Sequence, residues 1–74
     1  MANKAELRKG LRAAFRAAGT QRELARRLRI SEQAIGRWTW VPAGRVLDVE
    51  RVTGVPREVL RPDLYRGMVR AAAA

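Results

Sequence analysis

The chain reads as an all-α domain, and three observations predict it. Apolar residues recur at helical spacing along most of the 74 residues, and no stretch alternates as a half-buried strand would. Gly and Pro then divide the sequence into segments of helical length, five helices in all.

Residues 4–18 form the first helix. Leu7, Leu11, Ala14, Phe15 and Ala18 fall on one stripe, and Lys4, Arg8, Lys9, Arg12 and Arg16 cover the rest. Gly10 weakens its middle slightly, and Gly19 is placed to cap its end. Thr20 is the N-cap of the second helix, and Glu23 three residues on predicts a capping box. Leu24, Ala25 and Leu28 repeat at helical spacing, Ile30 sits in a tight turn, and Ile35 and Trp38 face back across it. Ala25 is small where the two helices must cross closely. Ser31 is the natural N-cap of the third helix, residues 32–38, with Trp38 expected in the core.

Residues 39–42 read as a short connection. Pro42 suits the start of a fourth helix over residues 43–53, which buries Val46, Val49 and either Val52 or Thr53 and stops at Gly54. Pro56 opens a last short helix to residue 60, and Pro62 keeps it from continuing. Residues 1–66 are thus one domain. Residues 67–74, with no patterned apolar face beyond Met68 and Val69, read as a flexible C-terminal tail.

Composition excludes several classes of function. The chain has no Cys and no His, which removes disulfides, thiolate or imidazole metal sites and the usual nucleophile–base pairs. Asp48, Glu50, Glu58 and Asp63 sit among arginines on amphipathic segments and read as surface ion pairs, so no catalytic residue, metal or cofactor is predicted and an enzyme is the least expected class. No apolar run approaches the roughly 20 residues that span a bilayer. The opening residues Met1 to Glu6 lack the apolar core of a signal peptide, and a cytoplasmic protein without a membrane partner is expected.

The charge is large and unevenly placed. Sixteen Lys and Arg against seven Asp and Glu give +9. Residues 1–40 hold ten basic and three acidic side chains, residues 41–74 six and four. The positive field therefore belongs to the first half, and such a field attracts polyanions and speeds their encounter. A stacking platform for single strands needs several exposed aromatics, whereas this chain has Phe15, Trp38, Trp40 and Tyr65, two of them expected inside, so duplex DNA is favoured.

The stretch Thr20 to Trp38, TQRELARRLRISEQAIGRW, carries the sharpest information. Between its apolar anchors lie Gln21, Arg22, Arg26, Arg27, Glu32, Gln33 and Arg37, side chains suited to phosphates and base edges. Gln21, Ala25, Ile30, Ser31 and the Ile35–Trp38 pair fall in register with the helix-turn-helix of the Cro and lambda-repressor class. The wider frame, Gly19 to Arg22, Val41-Pro42, Arg45 to Leu47, Glu50-Arg51 and Thr53-Gly54, resembles the small YdaS-like and phage Cro-like regulators over roughly residues 4 to 66. One position departs from the pattern. Arg29 stands where Gly usually ends the first helix of the motif through a left-handed conformation, at a cost of about 1 kcal/mol if the same turn is kept.

The resemblance implies a compact five-helix domain of the lambda-repressor-like type and a sequence-specific duplex DNA-binding regulator, a repressor, whose recognition helix at residues 32–38 lies in the major groove. It implies base contacts from Glu32, Gln33, Gly36 and Arg37, with Gln33 paired to adenine and Arg37 to guanine. Gly36 is expected to give room either to the groove or to a neighbouring helix. Phosphate contacts are expected from Thr20, Gln21, Arg22 and Ser31 on one side and from Trp40 and Arg45 on the other. Arg26, Arg27 and Lys4 are expected to add only field. A homodimer on two half-sites is the implied assembly. Residues 55–68, with Val55, Val59, Leu60, Leu64, Tyr65 and Met68, offer apolar surface for it. Two other classes stay open: an antitoxin or protein-interaction module using a patch around Trp40, Leu64, Tyr65 and Met68, and a cationic nucleoid- or membrane-active protein that reads no sequence.

Overall fold

The structure, a computed structural model, describes residues 3–65. Within them α1 spans Lys4–Ala18, α2 Gln21–Leu28, α3 Glu32–Gly36, α4 Val46–Thr53, α5 Arg57–Leu60 and α6 Pro62–Tyr65, with a 3-10 turn at Ala43–Arg45 before α4. No strand occurs among the described residues. The described residues therefore hold six α-helices, not five. Arg61 leaves the helical region (φ −139°, ψ 76°), as a residue before proline is driven to do. α5 stops at Leu60 as expected, and Pro62, needing no N–H in a first turn, then starts a further helix, α6. The tail expected at residues 67–74 lies outside the described residues.

The ends of the helices are set by local chemistry. Asn3, which the sequence reading passed over, caps α1 by accepting the Glu6 N–H at 2.9 Å. Thr20 Oγ1 accepts from Glu23 N–H at 3.0 Å and Ser31 Oγ from Ala34 N–H at 3.0 Å. The capping box at α2 is only half made, because the Glu23 carboxylate turns to Arg26 and Arg27. α2 ends as the motif requires: Ile30 N–H reaches Ala25 C=O and Arg29 N–H reaches Arg26 C=O, both at 3.1 Å, with Arg29 left-handed at φ 58°, ψ 41°.

The core gathers Leu11, Ala14, Leu24, Leu28, Ile35, Val46 and Val49 as expected, and adds two residues from outside the expected helical faces. Val41, in the supposed connection, and Leu60, at the end of α5, are both 0 % exposed. Arg61 closes the structure over Val41 by donating to its C=O at 2.9 Å while pairing with Asp63 at 2.7 Å. That pairing holds the Asp63 carboxyl below the ordinary range. Arg57 ties α5 to α4, its N–H and Nε meeting the Glu50 carboxylate at 2.9 and 3.0 Å.

Gly10 is where α1 and α5 meet. A Cβ there would lie 2.4 Å from Val59 O and 2.6 Å from Leu60 O, so only glycine lets the two backbones approach. Its effect is to admit a neighbour rather than to loosen its helix.

Candidate nucleic-acid interface

α2 and α3 pack on each other, joined by the turn through Arg29, Ile30 and Ser31. Leu24, Ala25, Leu28 and Ile35 are buried beneath that junction, Gln21, Glu23 and Ala34 are half-buried, and the other residues of both helices are exposed. At the start of α2 the Thr20 hydroxyl has its acceptor role filled by Glu23 N–H, leaving its proton free to donate to an anion. Gln21 is half-buried and Arg22 exposed. Thr20, Arg22 and Glu32 line one shallow groove of about 410 Å³, with Glu23, Ala25, Arg26 and Ile30 forming the rest. The structure thus brings two of the expected phosphate ligands beside one expected base reader.

α3 is shorter than the sequence predicts. It ends at Gly36, and Arg37 N–H and Trp38 N–H close on Ala34 C=O and Ile35 C=O in tighter turns at 3.2 and 2.9 Å. Gly36 is the reason: a residue of low helical propensity in the second turn lets the chain tighten there. Glu32 and Gln33 are exposed on the first turn, and Gly36 and Arg37 are exposed at its far end. Arg37 is the C-cap and not a helical position, though its backbone stays right-handed (φ −86°, ψ −10°). Trp38 is half-buried, packed against the core at its edge rather than inside it.

Gln21 and Gly36 are neighbours. Gln21 Nε2 lies 3.4 Å from where a Gly36 Cβ would stand, ordinary contact with the end of a flexible side chain. Packing in the free protein therefore does not demand glycine at this position. Trp40 and Arg45, half-buried, flank Val41 and Pro42 on the other side. Phe15 and Tyr65 are also half-buried against the core, and Tyr65 receives the Arg57 guanidinium 5.8 Å from its ring centre.

The arginines divide into committed and uncommitted sets. Glu23 holds both Arg26 and Arg27, Asp48 holds Arg51, Glu50 holds Arg57 and Asp63 holds Arg61. The Arg26 hydrogen bonds, above all, lower the Glu23 pKa to about 2, and Glu23 in turn raises that of Arg26. Asp48, Glu50 and Asp63 are thus engaged in ion pairs, as expected. Lys4, Arg8, Lys9, Arg12 and Arg16 on α1, and Arg22, Arg29, Arg37 and Arg45 around α2 and α3, have no acid within ion-pair distance among the described residues. Three arginines drawn from both sets, Arg27, Arg29 and Arg51, line one cavity at the far end of α2. The sequence signalled that gathering only through the arginine at the glycine position.

The apolar surface expected at residues 55–68 is smaller than composition suggests. Leu60 is in the core, and Val55 and Tyr65 pack against it, which leaves Val59 and Leu64 exposed there, with Leu47 exposed on α4. Met68 lies outside the described residues.

Fold and surface together define a small all-α protein whose uncommitted cations gather on α1 and around the α2–α3 pair. The chain belongs to the bacterial toxin YdaS family, whose family model matches residues 11–69. The family's description is of a bacterial toxin. No curated protein and no solved structure matches the chain. Among the described residues no helix is long and apolar enough to cross a membrane.

Proposed function

We propose that this protein is a sequence-specific duplex DNA-binding regulator of the Cro-like type, acting as a repressor, with α3 presented to the major groove. The observation that carries this reading is the exposed set Glu32, Gln33, Gly36 and Arg37 on and just after α3, bracketed by the uncommitted Arg22 and Arg45. Gln33 and Arg37 offer the paired hydrogen-bonding edges that adenine and guanine accept. Thr20, Gln21, Arg22 and Ser31 serve the backbone on one side, Trp40 and Arg45 on the other, and these contacts fix register without reading sequence. Two copies bind two half-sites. The pairing of Arg26 and Arg27 with Glu23 favours a site that reads over a merely cationic coat, since charge near the readers is partly neutralised. For a family described as toxic, occupation of host operators offers a route to harm that needs no catalysis.

Selection of bound sequences from a random duplex library tests the reading. A palindromic or directly repeated motif is the expected result, with binding steeply dependent on salt. Arg37→Ala is expected to cost about 1–3 kcal/mol on the selected site and flatten one base preference. Arg22→Ala is expected to weaken selected and random duplexes alike and reduce the salt slope by about one. Equal affinity for all duplexes at physiological salt removes the regulator and leaves a non-specific binder.

A further inference from the structure

Arg29 is the one non-glycine residue with positive φ among the described residues. Its Cβ crowds the backbone in that conformation, which the hydrogen bonds that close α2 hold in place. The side chain lines a cavity of about 340 Å³ with mostly polar walls, shared with Arg27, Leu28, Asp48 and Arg51. Arg29 itself has no acid within ion-pair distance among the described residues. Arg51 meets Asp48 at 3.5 Å with side chains 72 % and 47 % exposed, a loose pair that an incoming anion can exchange. Arg27 is fixed at the wall by long contacts, 3.3 Å to Glu23 and 3.3 Å to Val52 O.

Three guanidinium groups against one carboxylate leave two net positive charges around this space. Guanidinium forks match the oxygens of a phosphate in geometry as well as charge. We propose that the cavity at the C-terminal end of α2 is a phosphate-binding site, with Arg29 and Arg51 as its principal ligands and Arg27 as a fixed flank. The phosphate belongs either to a small phosphorylated molecule or to a nucleic-acid backbone. The site does not rest on the duplex reading, because its strain, charge and shape are properties of the chain alone.

Thermal melting of the full chain in inorganic phosphate, against chloride at matched ionic strength, tests it. Phosphate is expected to raise the Tm saturably beyond chloride, as a ligand specific to the folded state does. Arg29→Gly is expected to melt about 4–8 °C higher without phosphate, its strain relieved, and to lose the phosphate increment. Arg51→Gln lowers that increment, and Arg8→Gln, on α1, keeps it. An Arg29→Gly protein with the full increment, or an Arg8→Gln protein that loses as much, overturns the site. Random-sequence duplexes separate the two sources. Equal weakening of every duplex by Arg29→Gly, with a salt slope smaller by about one, assigns the site to a backbone phosphate. Unchanged duplex binding together with a lost increment assigns it to a free phosphate.

Discussion

Two helical glycines in this protein stand in opposite surroundings. Gly10 lies under α5, where a Cβ would meet backbone atoms at 2.4, 2.6 and 2.8 Å. Gly36 ends α3 on an exposed surface, its nearest neighbour the tip of Gln21 at 3.4 Å. The same residue type is thus required by packing in one place and unexplained by packing in the other. The difference teaches where packing within the molecule requires glycine and where it does not. The α1–α5 crossing is held by backbone proximity and the buried Leu60, whereas α3 buries Ile35 and leaves its glycine exposed.

The strongest way to break this contrast is Gly10→Ala. Backbone atoms cannot yield as a side-chain tip can, so the substitution is expected to destabilise the fold by about 3 kcal/mol, despite the better helix propensity of alanine. Urea unfolding measures it, and a wild-type midpoint would mean that α1 and α5 do not approach as described. Trp38→Ala comes next. With the ring half-buried, the expected loss is about 2 kcal/mol, below the roughly 3–5 kcal/mol of a fully buried tryptophan. Near-ultraviolet circular dichroism of the variant should show α3 loosened while α1 and α5 keep their unfolding transition.

Gly36→Ala sharpens the comparison from the other side. The free protein should gain at most about 0.5–1 kcal/mol, because alanine favours the helix and meets no backbone. Duplex affinity, measured on a selected site, should nevertheless fall if the groove is what needs the missing Cβ. Unchanged affinity would assign Gly36 to ending the helix and nothing more.

The smallest effect concerns acid. Glu23, held by Arg26 and Arg27, has its pKa lowered from 4.5 to about 2. A lowered carboxylate pKa means that the folded state binds the proton less readily than the unfolded one. Its contribution is therefore present above about pH 4.5 and lost as pH falls toward 2. Glu23→Gln should flatten that part of the stability–pH curve by lowering its plateau above about pH 4.5 toward the acid value, a small loss because an exposed pair is screened. Denaturant titrations at stepped pH read it directly; an identical acid limb in both proteins would remove the pair from the account of α2.

Much of the architecture was legible in the chain because it follows from short-range chemistry. Lys4–Ala18 matches its expected helix to the residue, and Thr20, Ser31, Gly19 and Gly54 cap where their side chains or their lack of one permit. The left-handed turn at Arg29 was foreshadowed as a departure from the pattern that the stretch resembles, in which glycine usually stands at this position. The surface set on α2 and α3 was legible for the same reason, as the polar remainder once Leu24, Ala25, Leu28 and Ile35 are turned inward.

Tertiary structure alone decided the rest. Nothing within a few residues of Val41 marks it as buried; it is inside because Arg61, twenty positions on, closes over its carbonyl. Gly10 looks like a weak point in a helix until α5 is laid against it. Which arginines stay uncommitted was likewise undetermined, because the pairing of Glu50 with Arg57 depends on how α4 and α5 meet. Helix ends, turns and amphipathic faces are set by neighbours along the chain, so the sequence determines them by itself. Close approach, burial of connecting residues and the disposition of charge depend on neighbours in space, and only the assembled helices supply those.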